Sequence, residues 1–283
     1  MGLETVLGLR RSGVFIPYRH AAAIPTPPDA PGYPAVARLF ARHEAAFART
    51  LDRIEAAAPA LAALGGPAPA PRLDQRWFPR LDAGAAWALI AERRPARIVE
   101  VGSGHSTRIL AAAARAAGAE TALLCIDPAP RAPLPDGVDH RRELLRAGHA
   151  PLFEALAPGD VAFFDSSHVL HPHTDVDLIL TAILPALAPG VLVHVHDVTL
   201  PDPYPPEWGW RGYAEQSGVA PWMLSGAYAP LWSSWWAVTR MSAGERPAIA
   251  ALPLLRGAFE TSLWMERVAG PVISGADARP AGA

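Results

Sequence analysis

What most constrains this chain is an alternation. Four short apolar runs, at 97–101, 122–126, 160–164 and 191–196, are separated by stretches with helical periodicity. A parallel strand pair needs a crossover, usually a helix, so this pattern predicts a mostly parallel sheet with helices on its faces. Each run ends in polar groups: Glu100 ahead of Gly102, then Asp127, Asp165, and His196 with Asp197. In an open sheet, ligands bind beyond the carboxyl ends of the strands, so these groups are expected on one edge.

Around that pattern, residues 1–72 read as a Pro-rich arm holding one long helix from about 35 to 58. Leu39, Phe40, Phe47, Leu51 and Ile54 recur there at three- and four-residue steps, which marks a packing or homodimerisation element. A second helix is expected near 82–93. Residues 73–270 form the expected main domain, and 271–283, small and polar, a flexible tail. A helix is expected to open at Ser106 or Thr107 and stop at Gly118. Another begins at Thr174, which pairs with Asp177 as a capping box, and breaks at Pro189-Gly190. Seven of the nine tryptophans follow position 200, and Trp232 to Thr239 is expected as a strand of a closing antiparallel hairpin.

Composition excludes several classes. Of 283 residues, 51% are hydrophobic and 18% charged, enough to bury a core and too apolar for a disordered chain. The 25 cations are all arginine, and the formal charge of −2 lacks the global field of a general nucleic-acid binder. The single cysteine, Cys125, excludes an intrachain disulfide and CxxC metal or redox motifs. With no apolar leader near the start, a cytoplasmic location is expected. The stretch 216–239 is uncharged and long enough to cross a bilayer. It holds Pro221, Pro230 and two glycines and lacks a basic flank, so it reads as buried structure and no membrane span is expected.

The segment Arg97-Ile-Val-Glu-Val-Gly-Ser-Gly-His-Ser-Thr107 runs a strand into Gly-x-Gly and a helix, which lets backbone approach a ligand at a helix start. A dinucleotide fingerprint would have its third Gly at 107, where this chain has Thr. Glu100 suits a cationic ligand better than a pyrophosphate. Asp127, 23 residues after Gly104, is placed to accept both hydroxyls of a ribose. Asp165 with Ser166 and His168, and His196 with Asp197, extend the same edge. His194 is deeper on its strand and reads as a satisfied core histidine. His171 and His173 read as solvated loop residues.

Val-Glu-Val-Gly-Ser-Gly-His-Ser-Thr, Cys-Ile-Asp-Pro, Phe-Phe-Asp-Ser-Ser-His and Pro-Gly-Val-Leu-Val-His-Val-His-Asp-Val follow the order seen in class I S-adenosylmethionine-dependent methyltransferases. Over roughly 73–240 the chain resembles the bacterial methyltransferase family 24. The resemblance implies a Rossmann-like α/β fold with a seven-stranded, mostly parallel sheet and a C-terminal antiparallel hairpin. It implies S-adenosylmethionine as cofactor, with Glu100, Gly102, Ser103, Gly104, His105, Ser106, Thr107, Asp127, Asp165 and Ser166 around it and Arg141 and Arg142 near its adenine. In similar catechol O-methyltransferase-like enzymes the acid ending the fourth strand binds magnesium, a lysine three residues on is the base, and an Asp-Asn pair completes the metal site. Here those positions are Asp165, His168 and His196-Asp197. The expectation is therefore O-methylation of a small-molecule hydroxyl, with His168, Asp165 and His196 catalytic and His168 as base near neutral pH. Asp165, His196 and Asp197 are the expected set for a divalent metal; the alternative is that the two aspartates position His168 or meet the substrate. Arg211, Glu215 and Gln216 are expected near the same mouth. A nicotinamide-dependent oxidoreductase and a non-catalytic cofactor-binding protein are the rival readings; Thr107 and Glu100 argue against the first, and the retained acids and His168 against the second.

Overall fold

The structure, a computed structural model, describes residues 2–268 other than 11, 15 and 26–28. The tail expected over 271–283 lies outside the described residues. In chain order the helices are α1 (Gly2–Val6), α2 (Pro34–Ala62), α3 (Arg80–Arg93), α4 (His105–Ala116), α5 (Ala150–Glu154), α6 (Asp175–Leu178), α7 (Leu184–Ala186), α8 (Glu215–Leu224), α9 (Ser234–Arg240) and α10 (Pro247–Ala250). The strands are β1 (Arg97–Val101), β2 (Ala122–Ile126), β3 (Asp139–Arg141), β4 (Val161–Phe164), β5 (Leu192–Val195), β6 (Tyr228–Ser233) and β7 (Leu263–Arg267).

They form one seven-stranded sheet in the order β3-β2-β1-β4-β5-β7-β6. The first five strands are parallel, and β7 runs antiparallel to both β5 and β6. The chain turns back across the sheet between β1 and β4, the switch point where an open sheet presents its ligand crevice. Register places the site: Val101 pairs with Ile126 and Phe164, and Phe164 with Val195. The next residues along the chain, Gly102, Asp127, Asp165 and His196, therefore emerge side by side.

The central strands read apolar without alternation because both faces are covered, with every residue of β4 and β5 buried. The helix of the N-terminal arm is part of this packing. Its stripe Val36, Phe40, Phe47, Leu51, Ile54 and Leu61 is fully buried in the common core. At the centre of α3, Gly84 lets α2 come close; a Cβ there would lie 2.6 Å from Ile54 Cγ2.

One expected element is corrected. The strand predicted at 232–239 ends at Ser233, and Ser234–Arg240 is helix α9. The Ser233 hydroxyl accepts the Trp236 amide at 3.2 Å and so caps a helix where a run of β-formers suggested a strand. Of the predicted strand only Trp232 and Ser233 belong to the sheet. Among the described residues no helix is long and apolar enough to cross a membrane.

Candidate active site

The Gly-rich turn is built from inside. Gly102 adopts φ +83°, and a Cβ there would lie 2.2 Å from the Asp165 carbonyl, so glycine is required by the turn itself. The Gly104 amide donates to Thr107 Oγ1 at 2.9 Å, which closes the first turn of α4. Thr107 thus does structural work where a dinucleotide site has glycine. Glu100 is fully buried beneath the turn, where it accepts hydrogen bonds from Ser106 Oγ at 2.6 Å and from the Cys125 thiol at 3.1 Å. Burial raises its pKa to about 7, the two donors offsetting part of that rise. His105 stacks face to face on Trp77, with ring centroids 5.3 Å apart; burial and neighbouring arginines lower its pKa to about 4.

Two cavities open at the strand ends. The smaller, about 260 Å³, is lined by Gly102, Ser103, Asp127, Asp165 and Ser166 from the expected cofactor set, with Leu144 and Leu145 as apolar wall. Asp127 accepts Ser103 Oγ and the Ala129 amide, both at 2.8 Å, which orients its carboxylate toward this cavity's rim. The larger, about 330 Å³, is lined by Asp165, His168, His196, Asp197, Arg76, Arg131, Arg211 and the rings of Trp77, Trp208, Tyr213 and Phe259. Arg131, Asp165 and Ser166 line both.

His168 is the centre of charge. Its Nδ1 lies 2.8 Å from Glu215 Oε2, and its Nε2 lies 3.3 Å from Asp165 Oδ1 and 3.6 Å from Asp197 Oδ2. The amides of Ala214 and Glu215 donate to its carbonyl, so the start of α8 holds the residue at both ends. Burial disfavours a charged imidazole, but the carboxylates of Asp165, Glu215 and Asp197 outweigh it and raise its pKa well above the ordinary value. Asp165 is pushed the other way: burial opposes its charge, yet His196 and His168 hold its carboxyl well below the usual range. His168 (φ +59°) and Asp197 (φ +53°) both sit in the left-handed region, which costs a non-glycine residue about 1–3 kcal/mol and concentrates at functional sites.

Several expectations change on this geometry. Glu100, Ser106 and Thr107 support the turn from beneath, and Gly104 and His105 line neither cavity. Both nitrogens of His168, the expected base near neutral pH, face carboxylates, which push its pKa well above the ordinary value. The metal set does not fit either. His196 Nε2 donates to the Trp77 carbonyl at 2.8 Å, and the imidazolium of His168 already sits among the carboxylates a cation would neutralise. Among the described residues no group of three His, Cys, Asp or Glu is arranged to hold a metal ion. His194 is buried as expected, its Nε2 bonded to Ser262 Oγ at 2.9 Å and its ring stacked on Phe163, but it is only half satisfied: its buried Nδ1 has no hydrogen-bond partner among the described residues. Gln216 accepts the Thr199 amide and lines neither cavity.

Arg131, Arg76, Tyr213 and Phe259 were not anticipated. Arg131 could have been found, because it lies on the loop leaving β2 at the same edge as the Gly-rich turn.

A family model described as a methyltransferase domain matches residues 99–198, the span from β1 through the end of β5. No curated protein matches the chain. Among solved structures, an SAH-bound methyltransferase of Podospora anserina shares 15% identity over 90% of this chain and 99% of its own, with a TM-score of 0.38. The O-methyltransferase TomG of Streptomyces achromogenes, solved with SAM and involved in tomaymycin synthesis, shares 20% identity over 78% and 90%, with a TM-score of 0.40. Over residues 99–198 the chain is thus similar to a methyltransferase domain, and its sheet order, with the Gly-rich turn at the switch point, is that of a Rossmann-like fold.

Proposed function

We propose that the chain transfers a methyl group from S-adenosylmethionine to a hydroxyl oxygen of a small-molecule acceptor. The observation that carries this reading is the shared wall: a donor in the smaller cavity and an acceptor in the larger meet across Asp165 and Ser166. The smaller cavity fits the cofactor. The Asp127 oxygens keep lone pairs for a ribose beyond their bonds to Ser103 and Ala129, and Leu144 and Leu145 offer an apolar face for an adenine. When bound, S-adenosylmethionine supplies a methyl already activated on a sulfonium.

What remains for the protein is placement and charge. The acceptor hydroxyl lies against Asp197, whose carboxylate takes its proton. The His168 imidazolium stabilises the negative charge that grows on the oxygen as the O–H bond breaks. Asp165 and Glu215 hold that imidazolium in place.

Calorimetry and a cofactor-consumption screen over hydroxylated acceptors test this. The wild type binds S-adenosylhomocysteine and not NADH, and Asp127→Ala weakens that binding by about 1.5–3 kcal/mol. His168→Gln keeps S-adenosylhomocysteine affinity within a few-fold and slows transfer by about 10²–10³. NADH binding, or full turnover in His168→Gln, overturns the assignment.

A further inference from the structure

We propose that the acceptor carries a fixed negative charge, such as a carboxylate, beside its hydroxyl, and that Arg76 and Arg211 receive it. This rests on reading the larger cavity as the acceptor site. Three arginines, Arg76, Arg131 and Arg211, line that one cavity beside His168, Asp165 and Asp197. Like charges converge on a small volume at a cost unless a ligand neutralises them. The cavity's own carboxylates, Asp165 and Asp197, are turned to His168. Arg211 has one weak carboxylate contact, Nη1 to Asp197 Oδ2 at 3.5 Å. Among the described residues neither Arg76 nor Arg131 has a carboxylate within ion-pair distance.

The remaining surroundings of Arg211 fix its direction and use one nitrogen, Nη1, which also donates to the Tyr213 hydroxyl at 3.2 Å; among the described residues no hydrogen bond uses its Nε or Nη2. Its guanidinium lies over Trp208 at 4.5 Å and over Tyr213 at 5.2 Å, an arrangement that leaves the planar fork available for bidentate contact. Arg131 lines the smaller cavity as well, so the acceptor's charge is assigned to the two arginines that line the larger cavity alone. The rings of Trp77 and Trp208 on the same walls suit a planar acceptor. The substrate class is thus a hydroxylated aromatic acid.

The test uses the full chain and pairs of probes: 3,4-dihydroxybenzoate, salicylate and 4-hydroxycinnamate, each against its own carboxamide. Binding is measured by calorimetry with S-adenosylhomocysteine present, and transfer with S-adenosylmethionine. At least one carboxylate is expected to outperform its carboxamide about tenfold in both measurements. Arg76→Gln is expected to shrink that ratio, and Arg76→Lys to restore part of it. A carboxamide preferred or equal in every pair, a ratio unchanged in Arg76→Gln, or no probe bound by a chain that does bind S-adenosylhomocysteine, overturns the proposal. Failure to bind S-adenosylhomocysteine at all would instead remove the methyltransferase reading beneath it.

Discussion

Glu100 lies buried beneath the Gly-rich turn, where the Ser106 hydroxyl and the Cys125 thiol donate to it. Its pKa, raised from 4.5 to about 7 by burial, makes it a source of pH-dependent stability. A group whose folded pKa is raised contributes stability that is complete below its unfolded pKa and is lost as pH climbs through the folded one. The window here runs from 4.5 to about 7, and the change across it is on the order of 3 kcal/mol. Glu100→Gln should remove this component, so the variant gains on the wild type by about that amount between pH 4.5 and pH 8. Urea denaturation across the range checks it; parallel pH profiles for the two proteins would show that Glu100 does not titrate there. The strand-end acids were legible because a parallel sheet opens its ligand crevice at those ends. Which of them face the crevice was not. Asp127 and Asp165 follow their strands and reach it, whereas Glu100 is still within β1 and is drawn under the turn by donors on α4 and β2. The surroundings of His168 were hidden for a related reason, since Glu215, whose Oε2 lies 2.8 Å from His168 Nδ1, is 47 residues away on α8.

Helix-to-helix contact depends on a single missing methyl group. Gly84 sits inside α3, where glycine costs roughly 1 kcal/mol relative to alanine in an exposed helix. Propensity alone therefore favours Gly84→Ala. The added Cβ, however, would lie 2.6 Å from Ile54 Cγ2, a branched and fully buried side chain on α2 with little room to turn away. Overpacking of this kind typically costs about 1–3 kcal/mol, so the substitution should destabilise on balance. Ile54→Val in the same chain should recover part of the loss, because the two sites share one contact. Denaturant midpoints of the single and double variants decide it, and additive effects would place the strain elsewhere. At this scale the sequence was informative wherever an element has one period. Strands β1 and β2 and the Thr174 cap lie where the apolar runs and the Thr-x-x-Asp spacing put them, Thr174 Oγ1 accepting the Asp177 amide at 3.3 Å. It misled at 232–239, where tryptophans suited to either state follow a serine that caps a helix.

Across the whole molecule, the N-terminal part divides into a segment that packs and one that does not. No described residue from 2 to 24 is buried. By contrast, α2 packs on α3, β6, α8 and α10. Its Phe40 meets Trp236 edge to face at 5.8 Å, and its Phe47 meets Trp232 at 6.5 Å. Besides Ala58, seven large side chains of α2, Val36, Leu39, Phe40, Phe47, Leu51, Ile54 and Leu61, belong to the core. At about 1.5–3 kcal/mol each their burial contributes roughly 10–20 kcal/mol before entropy is counted, as much as the net stability of an ordinary domain. The same helix covers β6, which pairs with β7 and through it with β5, the strand that leads into His196 and Asp197. Two truncations separate these roles. A chain beginning at residue 25 should melt within about 3 °C of the full chain, the shift expected for a change under 1 kcal/mol at this size. A chain beginning at residue 63 should lose cooperative melting and bind a hydrophobic dye, because the β6 face it exposes carries Trp232 and cannot be left in water. Cooperative unfolding of that shorter chain would make the arm an appendage and return the sheet's stability to the remaining layers alone.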